Sequence, residues 1–287
     1  MRYLLLIAFA LLAACSRAAK ENLIITSSRP AYLIIHEIVG ERIPIKNLLS
    51  PAASPHTFSP GPSEIKAVSK ANIVFYIAEN LDGWAADLHA GHAVEMMNFL
   101  PDAMIIRSDN HNHDHDHDHG GSDPHFWLNP LAVKAILPDL CKELSGIYPE
   151  YKVDFERNSK KFAAELLALD SAVKRNLSAK SGKSVFTFHP SFNYFLKQYG
   201  LTFGGSIEAF PGKEPSPNYI SELTSRINSA GAKVIFSELQ FSKDVAQTIA
   251  ELTNTKIAVL DPLGSAKEVA SYQDLILYNS LILLENL

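Results

Sequence analysis

The 287 residues are 47% hydrophobic and 20% charged, with 14 Gly and 16 Pro, a globular composition that excludes a disordered or fibrous chain. Lys and Arg number 26 against 31 Asp and Glu, a formal net charge of −5 that offers no basic excess for phosphates and argues against nucleic-acid binding. At about 100–200 residues per domain, this length predicts two domains or one large one. The biased number is the 11 histidines, with His111, His113, His115, His117 and His119 packed into a single stretch.

The chain opens with Arg2 and then an apolar run over 3–14. As a helix, that run spans about 18 Å, too short for a bilayer core of about 30 Å, and it reads as a secretory signal over 1–14. The run closes on Leu12-Ala13-Ala14-Cys15, which resembles the lipobox of bacterial lipoproteins and predicts cleavage before Cys15, lipid on Cys15 and a membrane anchor; the alternative is a plain signal with an incidental cysteine. With Cys15 lipidated, Cys141 has no disulfide partner. It lies among apolar residues in a helix-like stretch, 130–147, and is expected to be a buried, inert thiol.

Short β-rich runs at 23–26, 73–77, 104–106, 185–188, 234–236 and 257–260 alternate with amphipathic segments at 63–71, 191–199, 217–230 and 242–253. Apolar strands alternating with helices predict an α/β fold with mostly parallel sheets covered by helices on both faces. The strands fall into two clusters, before Arg107 and after Lys183. Between them, Phe155, Phe162, Leu166, Leu169, Val173 and Leu177 are spaced 7, 4, 3, 4 and 4 apart, the helical period. A helix over 149–180 would be about 45 Å long. The expected organisation is therefore an N-terminal lobe over 20–148, a stiff connecting helix over 149–180 and a C-terminal lobe over 183–287; a single sheet with a surface helix is the alternative. No internal repeat is visible. The alternating His/Asp tract, inside a loop over 109–121, cannot bury apolar area and is expected to be mobile.

Outside the tract, three histidines share one setting. His56 and His125 each stand just ahead of a helix, and His189 ends a strand before Pro190. Ligands in open α/β sheets bind at the carboxyl ends of strands. Asp261, which ends the run 257–260, is a fourth candidate of this kind. Imidazole nitrogens with one carboxylate oxygen suit zinc.

At these residues the chain resembles the zinc-uptake branch of the metal-binding solute receptors of bacterial ABC transporters. The resemblance rests on Pro55-His56-Thr57-Phe58 with Pro62, on Asp123-Pro124-His125-Phe126-Trp127, and on Phe188-His189-Pro190-Ser191-Phe192-Asn193-Tyr194-Phe195. It extends through Ser206-Ile207-Glu208, Glu214-Pro215-Ser216-Pro217, Phe236-Ser237-Glu238-Leu239-Gln240 and Asp261-Pro262-Leu263-Gly264, covering nearly the whole chain after the leader. It implies a two-lobed, monomeric, extracytoplasmic receptor with a rigid connecting helix. Zn2+ would be held between the lobes by His56, His125 and His189, completed by Asp261, water or a Glu, and delivered to an ABC permease. Manganese-preferring relatives tend to carry a carboxylate where His189 stands, and three neutral imidazoles favour zinc over that harder ion. It also implies that the His/Asp tract gathers metal more weakly than the main site. Glu238 and Glu208 are candidates to orient a ligand imidazole from behind.

His89 and His92, three apart in 81–98, would share a helix face and read as an exposed pair. His36 reads as a packed surface-edge histidine. Two other classes remain: a surface lipoprotein acting as adhesin or metal buffer, and a zinc hydrolase, although no His-Glu-x-x-His motif is present.

Overall fold

The computed structural model describes residues 22–88, 91–107 and 121–287. The leader with Cys15, His89 and the histidines 111, 113, 115, 117 and 119 lie outside the described residues.

Parallel pairing and apolar burial build two sheets. In the first half of the chain, β1 (Ile24–Thr26), α1 (Arg29–Val39), β2 (Ile45–Asn47), α2 (Pro62–Val68), β3 (Ile73–Tyr76), α3 (Glu79–Asp82), α4 (Trp84–Asp87) and β4 (His92–Glu95) give a sheet of order β2-β1-β3-β4. Next come two long helices, α5 (Pro130–Ile147) and α6 (Lys152–Leu177). In the second half, β5 (Ser184–Thr187), α7 (Asn193–Gln198), β6 (Thr202–Ser206), α8 (Pro217–Ser229), β7 (Val234–Glu238), α9 (Lys243–Thr253), β8 (Lys256–Leu260) and α10 (Tyr272–Asn286) give a sheet of order β6-β5-β7-β8. Every pairing is parallel. The two orders are the same path drawn twice, a repeat of topology that leaves no trace as a sequence repeat. The single-sheet alternative is thereby excluded.

The central strands β1, β3 and β7 are buried at every position, as helices on both faces require. Helix starts follow local chemistry. Pro62, Pro130 and Pro217 occupy first-turn positions where a missing N–H costs nothing. Asn129, Ser216 and Ser242 cap α5, α8 and α9 by accepting from first-turn amides.

Helix α6 buries Phe155, Phe162, Leu166, Leu169, Val173 and Leu177, the stripe the spacing predicts. Short 3₁₀ turns at Pro149–Tyr151 and Ser178–Lys180 extend its path at both ends. One apolar core runs from Ile24 and Phe75 through Phe155 and Leu166 to Phe236 and Leu260, so it spans both sheets. Polar clasps join the halves as well. Arg29 donates to the carbonyls of Gly264 and Val269, Trp127 Nε1 to Pro262 O at 2.7 Å, and Tyr272 Oη to Trp127 O at 2.7 Å.

Two sequence expectations fail. Residues 104–106 form no strand: a 3₁₀ turn covers Asp102–Met104, and only an isolated bridge joins Arg107 to Ser122. The place beside β3 is filled by β4 instead. The helix expected to carry His92 is interrupted, because α3 and α4 are four residues each and His92 opens β4, with Nε2 3.1 Å from Glu143.

Candidate metal centre

The loop after β2 carries His56. It is held by Trp84, whose Nε1 donates to Pro55 O at 3.3 Å and whose ring packs on Phe58 with centroids 4.8 Å apart. His125 precedes the 3₁₀ turn Phe126–Leu128 that leads into α5. His189 follows β5, and Pro190 opens the next 3₁₀ turn.

These three loops converge. One ring nitrogen from each of His56, His125 and His189 lies within 4.8 Å of the other two. The ring centroids form a nearly equilateral triangle of 5.3, 5.4 and 5.3 Å. His56 Nε2 and His125 Nε2 are 3.3 Å apart. Tetrahedral zinc with nitrogen ligands at about 2.0–2.1 Å sets neighbouring nitrogens about 3.3 Å apart. The observed edge therefore fits.

Two carboxylates fix the tautomers. Asp123 Oδ1 accepts from His125 Nδ1 at 2.7 Å and from His125 N at 2.9 Å. Glu238 Oε1 accepts from His189 Nδ1 at 2.7 Å and from His189 N at 3.3 Å. With Nδ1 protonated and donating, each Nε2 keeps the lone pair a metal needs. Asp123 also ties the lobes together, since its Oδ2 accepts from Asn193 Nδ2 at 3.0 Å. Among the described residues, His56 has no such carboxylate. Its pKa is held well below the ordinary imidazole value, first by desolvation and then by His125 and His189, so the ring stays neutral.

Asp261 does not join the three imidazoles. It follows β8 and is fully buried, but Oδ1 accepts from Leu263 N and Gly264 N at 3.2 and 2.9 Å, and Oδ2 from Ala266 N at 2.7 Å. Its lone pairs organise its own loop, in which Gly264 adopts φ of 74°. Burial raises its pKa and these backbone donors oppose the rise. Glu208 likewise turns to its own loop, accepting from Gly212 N at 2.8 Å and, among the described residues, forming no hydrogen bond to an imidazole.

Cys141 is a buried free thiol whose pKa burial pushes up. His36 pairs with Glu41 at 3.2 Å on the edge of α1. Sequence reasoning missed the supporting roles of Asp123, of Asn193 and of Phe241, whose ring lies edge-on to His189 with centroids 5.3 Å apart. The Asp123 signal was present: a carboxylate two residues before a histidine, with Pro124 bending the chain between them, can reach back to both N–H groups of that histidine.

A family model described as "ZnuA: Zinc-uptake complex component A periplasmic" matches residues 24–285. Among curated proteins, the zinc-binding lipoprotein AdcA of Streptococcus pneumoniae serotype 4 (strain ATCC BAA-334 / TIGR4) is 29% identical over 268 residues, 90% of this chain and 54% of the relative. The high-affinity zinc uptake system protein ZnuA of Brucella abortus (strain 2308) is 35% identical over 146 residues, 51% of this chain and 44% of the relative. The chain spans about half the length of the curated relatives it matches. Among solved structures, a Zn(II)-bound AdcAII variant of Streptococcus pneumoniae superposes with a TM-score of 0.81 at 25% identity, covering 93% of this chain and 99% of that one. The laminin-binding protein Lmb of Streptococcus agalactiae, described as bifunctional with adhesin and metal transporting activity, gives 0.79 at 24% identity over 92% and 98%, a likeness of fold alone. With a match across almost all of its described length and two parallel sheets framing a three-histidine centre, the chain belongs to the ZnuA family of periplasmic zinc-uptake components.

Proposed function

We propose that the protein is an extracytoplasmic receptor that captures zinc through His56, His125 and His189 and delivers it to an ABC permease. The observation that carries this reading is the convergence of three imidazoles, two with tautomers set by carboxylates, at a spacing that matches tetrahedral zinc. An all-nitrogen protein set also favours zinc over manganese. Water, rather than Asp261, completes the site, because the carboxylate of Asp261 is already engaged by three backbone amides. Membership of a zinc-uptake family supports capture and release over hydrolysis.

In this reading Cys15 carries the lipid anchor, the protein acts as a monomer with lobes divided at 149–180, and the histidines of 111–119 gather metal weakly ahead of the main site. Among the described residues no helix is long and apolar enough to cross a membrane.

The test is competition for zinc against a chelator. His125→Ala and His189→Ala are expected to lose affinity by more than the roughly 10- to 100-fold typical of removing a supporting group. Tight binding retained in both variants contradicts the assignment. Growth of a strain lacking the protein should fail under zinc limitation and recover with excess zinc, whereas a loss of adhesion would not be rescued by zinc.

A further inference from the structure

The side of α6 that faces away from its buried stripe has an unusual composition. At about 3.6 residues per turn, that side holds Arg157, Lys160, Ala164, Leu167, Ser171 and Arg175, spaced 3, 4, 3, 4 and 4 apart, and all are exposed. Val153, four residues before Arg157, continues the stripe and is 75% exposed; Leu167 is 48% exposed. The outer face of a soluble helix is ordinarily polar. This one carries cations, small residues and two large apolar side chains, and no carboxylate.

The carboxylates of α6 lie to the sides of the stripe and are engaged. Asp154 pairs with Arg42 at 3.1 Å and with Arg157 at 2.6 Å. Glu165 pairs with Lys161 at 3.4 Å and accepts from Gln273 Nε2 at 3.2 Å. Asp170 accepts from Gln198 Nε2 at 2.7 Å, and Glu156 lies 3.9 Å from Lys152. Among the described residues, Lys160, Lys174 and Arg175 have no carboxylate at ion-pair distance.

The N-terminal segment joins the fold at the start of this helix. Ile24 N donates to Pro44 O at 3.0 Å, so β1 begins beside Pro44, and Arg42, two residues earlier, reaches Asp154 in the first turn of α6. Asn22 stands seven positions after Cys15, with Arg17 and Lys20 between them. Seven residues span at most about 25 Å, less than the roughly 39 Å of α6 itself. A lipid on Cys15 would therefore keep the start of α6 close to the bilayer.

We propose that the outward stripe of α6 lies along an anionic phospholipid surface, with Val153 and Leu167 at the interface and Lys160, Lys174 and Arg175 on headgroup phosphates. This rests on the reading of Cys15 as the lipid anchor and goes beyond it by giving the anchored receptor a fixed membrane-facing side. A helix face that combines cations with apolar side chains binds such a surface through buried apolar area and attraction to anionic lipid, and stable anchoring takes a second signal beside an acyl chain.

The experiment places the lipidated full chain, in a Cys141→Ser background, in vesicles of phosphatidylglycerol and phosphatidylethanolamine. A fluorophore on Leu167→Cys, or on Phe210→Cys at the mouth of the histidine cleft, reports contact through quenching by brominated lipids. Leu167→Cys should be quenched and Phe210→Cys should not. Combining Lys160→Gln, Lys174→Gln and Arg175→Gln should lower the ratio of docked to undocked protein about hundredfold, about fivefold per cation, and so abolish the quenching. Zinc affinity of that variant should equal the wild type, which reports an intact fold. No quenching at Leu167→Cys, equal quenching at both positions, or full quenching after the three replacements would each overturn the proposal. A label at Leu167→Cys that is shielded without vesicles, in protein that sediments as a dimer, would place a second copy on this face and overturn it as well. Mass spectrometry separates the two readings. A chain without lipid on Cys15 overturns the anchor reading and this proposal with it, whereas a lipidated chain with an unquenched label overturns this proposal alone.

Discussion

The two sheets share one strand order, yet their equivalent crevices are filled in opposite ways. In each sheet the chain reverses direction between the first and third strands, the place where open α/β folds bind ligands. In the C-terminal lobe, His189 beyond β5 and Glu238 at the end of β7 meet there, and the imidazole faces His56 and His125. In the N-terminal lobe, the same place beyond β1 and β3 is closed by Asp82. Its carboxylate is fully buried and accepts from Ile77 N, Ala78 N, Ser27 Oγ and Ser28 Oγ. That lobe supplies its candidate ligands from other loops, on His56 and His125. Topology provides a crevice; the donors and acceptors placed in it decide whether it becomes a site or a plug.

The largest effects should come from emptying the open crevice. Glu238→Ala, or Asp123→Ala in the facing lobe, should lower zinc affinity by about 10–100-fold, the usual cost of losing the group that orients a metal-binding imidazole. Circular dichroism should show the fold intact. Equal affinity in both variants would mean that the carboxylates do not set the tautomers.

Emptying the plugged crevice should act on stability instead. Asp82→Ala orphans two amides and two hydroxyls and should destabilise the protein by about 3 kcal/mol in urea unfolding. Its zinc stoichiometry should be unchanged. A variant that unfolds normally but loses metal would break the comparison.

The plug also titrates. Burial pushes Asp82 up to about 6, against the four donors that favour its ionised form. A folded-state pKa above the unfolded one means that the contribution of this group is full below the unfolded value of about 3.9 and is lost as pH rises through about 6. Relative to Asp82→Asn, the apo wild type should therefore lose stability between pH 5 and 7. A difference that stays flat over that range, or of opposite sign, would remove Asp82 from the account.

Smaller still should be the shape change on binding. The core continuous through α6, together with the Arg29, Trp127 and Tyr272 clasps, ties the lobes together. Small-angle scattering should give nearly the same radius of gyration with and without zinc, and a large compaction would contradict this rigidity.

The strands that the sequence did not reveal share a cause. β2, β4 and β6 are all sheet edges, partly open to solvent, and read as Ile-Lys-Asn, His-Ala-Val-Glu and Thr-Phe-Gly-Gly-Ser rather than as apolar runs. The buried strands β1, β3, β5 and β7 were legible because both faces are covered, and the edge strand β8 because it still reads Ile-Ala-Val-Leu. The stripe of α6 was legible for the same reason: burial writes a period into the sequence. Hydrogen-bond partners are not written that way. Glu238 ends β7 and Asp261 follows β8, neighbouring parallel strands paired in register through Glu238 and Leu260, and as letters they are alike. Only the fold shows that Asp261 spends its oxygens on Leu263, Gly264 and Ala266 while Glu238 turns one to His189. Asp123 was readable from its proximity to His125, whereas Asn193, 70 residues away from it in sequence, was not.

In the proposed site three imidazoles and a water, with no carboxylate, hold the metal. Zinc K-edge X-ray absorption on protein lacking residues 111–119, loaded with one equivalent of zinc, measures this directly. Four ligands are expected, with multiple scattering from three imidazole rings at about 2.0–2.1 Å and one further oxygen. Two rings with a carboxylate, or a six-coordinate oxygen-rich shell, would contradict it.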